Sequence, residues 1–212
     1  MTRGSGGRAG AALARVPRPV WIAAAILVTV VAAVAALGGF ATADARVRPQ
    51  WPAGEPHDHG QVVATIHDYT VTTSDASSLP EGASAWLVVR ATVVSVDAAT
   101  LVFPRQIVEL PAGLALGGDD DPAPDATSVI ALDDGRRSPQ LHPGLPVEIA
   151  YLWPLADAAD APADRLEVEA LETRWIYSPS ADEWHWGDIA PVARMTIPYT
   201  DRVPAVLEGD DE

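Results

Sequence analysis

The chain contains no cysteine and no lysine among its 212 residues, and only two methionines. Without thiols it forms no disulfide, carries no acylated lipoprotein cysteine and offers no cysteine nucleophile. An exported domain of this composition must therefore rest on a packed core. Met195 is the only methionine after the first residue, which removes methionine-rich copper binding. No G-x-S-x-G elbow occurs, and no phosphate-cradling glycine loop follows a strand-like run, so the signatures of serine hydrolases and nucleotide binders are missing. After the first fifty residues there is no sustained 3.6-residue period and no internal repeat. No acidic residue precedes Asp44.

What is present is strongly divided. Residues Val20 to Leu37, VWIAAAILVTVVAAVAAL, form an apolar run whose only polar side chain is Thr29, and Arg3, Arg8, Arg15 and Arg18 precede it. Eighteen helical residues give about 27 Å, close to the hydrocarbon thickness of a bilayer. Signal-peptide apolar regions are shorter, so length points to an anchor over 19–41. Ala41-Thr42-Ala43 has the small-x-small form that signal peptidase cuts, which is the alternative. Either way the basic flank, 1–18, is expected in the cytoplasm and everything after about Ala43 outside the cell membrane. Trp21 suits an interfacial position.

The exported part carries all 29 carboxylates against ten arginines, a net charge of −19. That argues against a nucleic-acid partner, which needs a basic face. Residues 42–60 include the proline-rich RVRPQWPAGEPH and are expected to form a stalk. A single domain is expected over 61–205, and an acidic, frayed tail over 206–212.

Within 61–205 the signals are short alternating apolar runs separated by turn residues, the pattern of an all-β protein. Ala85 to Val96 has one dry face of Leu87, Val89, Ala91 and Val93, and one mixed face, as a central sandwich strand should. Val147 to Leu155 and Arg165 to Ala170 alternate similarly. Phe103 to Leu110, Val129 to Leu132 and the set Ala193, Met195 and Ile197 are further strands, the last ended by Pro198. In Gln61 to Thr73 the phase changes at His67-Asp68, which predicts a β-bulge. Leu87 to Val93 are expected to face Ile149, Tyr151 or Trp153 across the sandwich. Seven or eight strands joined by turns predict an antiparallel sandwich of immunoglobulin type, preceded by one transmembrane helix.

The order of parts, with the strand GASAWLVVRATVVS and the turn-plus-strand LHPGLPVEIAYLWPL, resembles the bacterial telokin-like, immunoglobulin-like extracytoplasmic domains of unknown function. The likeness covers roughly Gln61 to Ala170. It implies a sandwich in the envelope. It brings no residues with assigned roles, and this chain differs in lacking a lipidation cysteine and in its tryptophan-rich end.

Few residues offer chemistry. His57-Asp58-His59, with Glu55 before and His67-Asp68 after, supplies imidazole and carboxylate suited to Zn²⁺, Ni²⁺ or Cu²⁺. Local spacing fixes no third ligand on one face, so no resident metal or other cofactor is expected, and His57, His59 and His67 stand as the candidates. Asp119, Asp120, Asp121 and Asp125 are interrupted by Pro122 and Pro124 and lack the ligand spacing of a calcium loop. His142 and His185 have no serine placed beside them by motif. No enzyme is expected. Trp175-Ile176-Tyr177 and Trp184-His185-Trp186 flank SPSADE. Paired antiparallel with Tyr177 opposite Trp184, they put Trp175, Tyr177, Trp184 and Trp186 on one face of one hairpin. That face either caps the core, the expected arrangement, or forms a binding patch. The sequence thus points to a membrane-anchored, non-enzymatic binding or accessory module working through protein–protein contacts in the envelope, beside another envelope or integral membrane protein. The alternative is a receptor for a sugar or divalent metal.

Overall fold

Ala85–Ser95 is buried on both faces over its first half and alternates thereafter, so two layers of apolar residues cover it. The computed structural model that shows this describes residues 18–36, 48–74, 79–102, 106–117, 126 and 128–208. It separates into two units, Met1–Val47 and Arg48–Glu212. In the first, helix α1 runs from Arg18 to Ala36, 19 residues.

The second unit is β structure. In chain order its strands are β1 (Gln50–Pro52), β2 (Pro56–Asp58), β3 (Val62–Thr72), β4 (Ala85–Ser95), β5 (Leu101–Val102), β6 (Val108–Glu109), β7 (Ser128–Ala131), β8 (Gln140–Leu141), β9 (Pro146–Leu155), β10 (Arg165–Ser178) and β11 (Glu183–Pro198). One sheet has the order β2-β3-β4-β9-β7, and the other β1-β11-β10-β6. Strand pairs in both are antiparallel except β1 with β11. A small pair, β5-β8, stands apart from them.

Alternation decides what is buried. Leu87, Val89, Ala91 and Val93 join Ile149, Tyr151, Trp153 and Leu155 in the main core. The expectation that these two groups face each other across the sandwich is corrected: Leu87 pairs with Trp153, Val89 with Tyr151 and Ala91 with Ile149, side by side in one sheet. The buried apolar residues that the other sheet gives to the same core are Val108, Leu166, Val168, Met195 and Ile197, and Trp51 of β1 packs against that core. Trp86, Val88, Ala150 and Leu152 point the other way, into a second cluster with Ile130 and Leu207. Leu207 belongs to the 3-10 turn Ala205–Leu207 and is buried. The start of the segment expected as a frayed tail is thus docked, because it covers the apolar outer face of β4 and β9. Residues 209–212 lie outside the described residues.

The bulge falls where the phase change placed it. The β3–β4 register slips between Ile66 and Asp68, and Asp68 then forms a two-pronged ion pair with Arg90, whose Nε lies 2.6 Å from Oδ1.

Two segments differ from the sequence reading. Residues 48–58, expected within the stalk, form β1 in one sheet and β2 in the other. Proline is compatible with both because each is an edge strand. Helix α1 covers the described part of the expected span, and residues 37–41 lie outside the described residues. Among the described residues no helix is long and apolar enough to cross a membrane.

Candidate functional site

The three histidines do not converge, although His57 and His59 both pack on Trp51. His57 on β2 stacks on Trp51, ring centroids 4.5 Å apart, and its Nε2 lies 3.1 Å from the Pro52 carbonyl oxygen. His67, the bulge residue, lies 2.8 Å through Nε2 from the Thr92 hydroxyl. His59 is almost wholly buried. Its Nδ1 donates to the Leu171 carbonyl at 2.6 Å, which leaves Nε2 as a buried acceptor without a partner. Burial pushes its pKa below the usual histidine value, more strongly than the bond to Leu171 raises it. Among the described residues no three histidine or carboxylate side chains come together as a metal site. Each of these rings is engaged in joining elements. The aspartates of the 118–125 loop lie outside the described residues.

The aromatic hairpin has the register that antiparallel pairing implied: Trp175 opposite Trp186, Ile176 opposite His185 and Tyr177 opposite Trp184. A four-residue loop closes it, with Asp182 in the left-handed region at φ 54° and its carboxylate accepting from the Tyr177 hydroxyl. Extra residues on β11 interrupt the register between Ala170 and Leu171 and between Thr173 and Arg174. One of them, Asp188, has φ 50°. Bulges of this kind sharpen local twist and bend a ribbon.

The expected burial of this face is corrected. Trp175, Tyr177 and Trp184 are 51%, 44% and 58% exposed, and Trp186 is half-buried. The hairpin extends past the ends of β1 and β6, and Trp175, Tyr177 and Trp184 pack against neither buried cluster. The rings instead pack on each other. Trp175 and Trp186 meet at 5.1 Å with planes 67° apart, and Tyr177 and Trp184 at 5.6 Å and 54°.

A second feature lies further down the same strand. Along β10 the buried residues are even-numbered up to Ala170, so Glu167 and Glu169 point outward there; Leu171 and Thr173 are then buried in turn before the exposed aromatics. Cross-strand register lines up Gln50, Arg194, Glu169 and Glu109 in one row across four strands. They border a groove of about 510 Å³ with Glu167, Thr196 and residues 110–112. Glu169 is tied to Arg48 and Gln50 to Thr196. Sequence reasoning pointed Glu167 and Glu169 outward but missed this row, because pairing between strands sixty residues apart leaves no local signal.

Comparison with family models gives no match to this chain. Comparison with curated proteins and with solved structures gives none either.

Proposed function

We propose that the protein is a membrane-tethered extracytoplasmic binding module that works through protein–protein contact and performs no catalysis. The observation that carries this is the exposure of Trp175, Tyr177 and Trp184 on one face of a projecting hairpin. Clustered exposed aromatics mark interaction surfaces, and Trp and Tyr are the residue types that dominate binding energy in protein interfaces. The tilted ring pairs favour a protein partner over a sugar, since they offer no shared flat platform. The internally bonded histidines, with His67 apart from the pair on Trp51, disfavour a metal receptor.

The tether in this reading is a single span starting near residue 19, with the arginine-rich terminus in the cytoplasm and the β unit outside. Its support is the sequence: the apolar run Val20 to Leu37 behind an arginine-rich flank. The two-sheet arrangement is assigned to the immunoglobulin-like class, and the resemblance to telokin-like envelope domains agrees with that assignment.

Site-specific photo-crosslinking in native membranes tests the reading. A crosslinker at position 184 should capture a discrete envelope protein, while one at the exposed Glu148 on the other sheet should not. Equal capture, or none, from both positions would refute the hairpin as the contact surface.

A further inference from the structure

Sheet edges are normally covered, short or charged, because unpaired backbone groups template another strand. The outer edge of β10 is only partly covered. β6 pairs with it at Glu169 and Ala170 alone. Beyond, Leu171 N–H bonds the Ile107 carbonyl at 2.8 Å, and Thr173 N–H bonds the His59 carbonyl at 2.9 Å. The odd-numbered residues therefore turn their backbone groups toward this edge. Continuing the register the other way would pair Glu167 with Pro111. Proline has no N–H to give, and the Pro111 carbonyl instead accepts from Leu114. The ladder stops, and Glu167 is left exposed without a backbone partner on that edge among the described residues. The gap opens on the groove bordered by Glu109, Leu110, Pro111, Ala112, Glu167 and Glu169.

Charge selects the occupant. The groove holds three carboxylates, Glu109, Glu167 and Glu169, against one guanidinium, Arg194. Glu109 and Glu169 stand directly opposite each other, a destabilising placement for like charges that an incoming cation would relieve. Arg48 already answers Glu169. Glu109 and Glu167 have no ionic partner among the described residues. The chain after Asp44 is itself strongly acidic, and its own alternating basic stretch, Arg46-Val47-Arg48, already commits Arg48 to Glu169 and leaves Glu109 and Glu167 unanswered.

We propose that this gap is a strand-addition site for an extended, arginine- or lysine-bearing segment of a partner protein. Main-chain bonds to the free edge at Glu167 would give affinity, and alternate basic side chains meeting Glu167 and Glu109 would give specificity. The inference rests on the binding reading above only for the class of partner, and its surface is separate from the hairpin.

The test uses the full-length protein in detergent micelles and a capped seven-residue peptide alternating arginine and valine, followed by fluorescence anisotropy. Saturable one-to-one binding is expected. Two N-methylated versions, blocked at alternate residues in opposite phases, should differ: one loses binding and the other keeps it, since a strand pairs through one edge. Glutamate in place of arginine should abolish binding. Glu167→Gln and Glu109→Gln should each weaken it by roughly tenfold, as loss of a charge-assisted contact does. Glu109→Gln should also raise the melting temperature, so its weaker binding is not a folding defect. Trp184→Ala should leave peptide affinity unchanged. Absence of saturable binding overturns the proposal, as does binding indifferent to N-methylation or to peptide charge. Binding lost in Trp184→Ala but untouched by Glu167→Gln would also overturn it, while leaving the hairpin reading intact.

Discussion

His59 and Leu171, 112 residues apart in sequence, are joined by a buried hydrogen bond of 2.6 Å from the imidazole Nδ1 to the carbonyl oxygen. The Thr173 N–H returns a bond to the His59 carbonyl at 2.9 Å. Together they fasten the β2–β3 turn of one sheet to β10 of the other, just below the point where the hairpin leaves the body. The proton on Nδ1 fixes the tautomer, so a second proton would have to enter at the buried, partnerless Nε2.

Stability should accordingly depend on pH through His59. Its folded-state pKa is lowered by burial, so the unfolded chain takes up the proton first as pH falls. The contribution of His59 is intact above about pH 6.5 and declines as pH drops from there toward the folded-state value. Denaturant unfolding of the wild type and His59→Gln checks this. The stability gap between them should be wide at pH 7.5 and narrower at pH 5.5. A gap that does not change with pH contradicts it.

Gly60 and Gly54 should respond differently to alanine. Both have positive φ, +86° and +80°. A Cβ on Gly54 meets nothing within 4 Å, whereas one on Gly60 would lie 1.8 Å from the Thr173 carbonyl oxygen. Gly54→Ala should cost about 1–2 kcal/mol, the left-handed penalty alone. Gly60→Ala should cost clearly more, because it also breaks the seam to β10. Equal melting temperatures would contradict this close approach.

Val89→Asp places a charge in the main core, where Val89 is fully buried beside Tyr151. It should abolish folding, at a cost of about 3–5 kcal/mol or more. A soluble variant that melts cooperatively would refute the placement of β4.

Topology has its own check. Protease added to intact spheroplasts should digest the β unit, and a mature N-terminus at Asp44 would mean a cleaved signal in place of an anchor. Protection of the β unit from external protease would contradict export.

The alternation of Leu87 to Val93, the bulge at His67 and the pairing of Tyr177 with Trp184 could be read in the sequence, because each is a local consequence of the two-residue period. What could not be read depends on distant strands. RVRPQWPAGEPH has the composition of a stalk, yet Trp51 packs against the core and Gly54 N–H bonds the Ile66 carbonyl. Burial of the aromatic hairpin was the wrong expectation for a similar reason. Large rings are usually covered, and only the tertiary packing reveals that these three lie outside both buried clusters. The groove row needed the Glu109–Glu169 register, which no local pattern encodes.

The central claim is that the aromatic face serves contact and not the core, and Trp184→Ala measured two ways addresses it most directly. In the full-length protein this change should shift stability by no more than about 0.5 kcal/mol, as for an exposed side chain. In membranes it should also abolish the species captured by a photo-crosslinker at position 177. A loss of about 3 kcal/mol would mark Trp184 as core. Undiminished capture from position 177 would remove the hairpin as the binding surface.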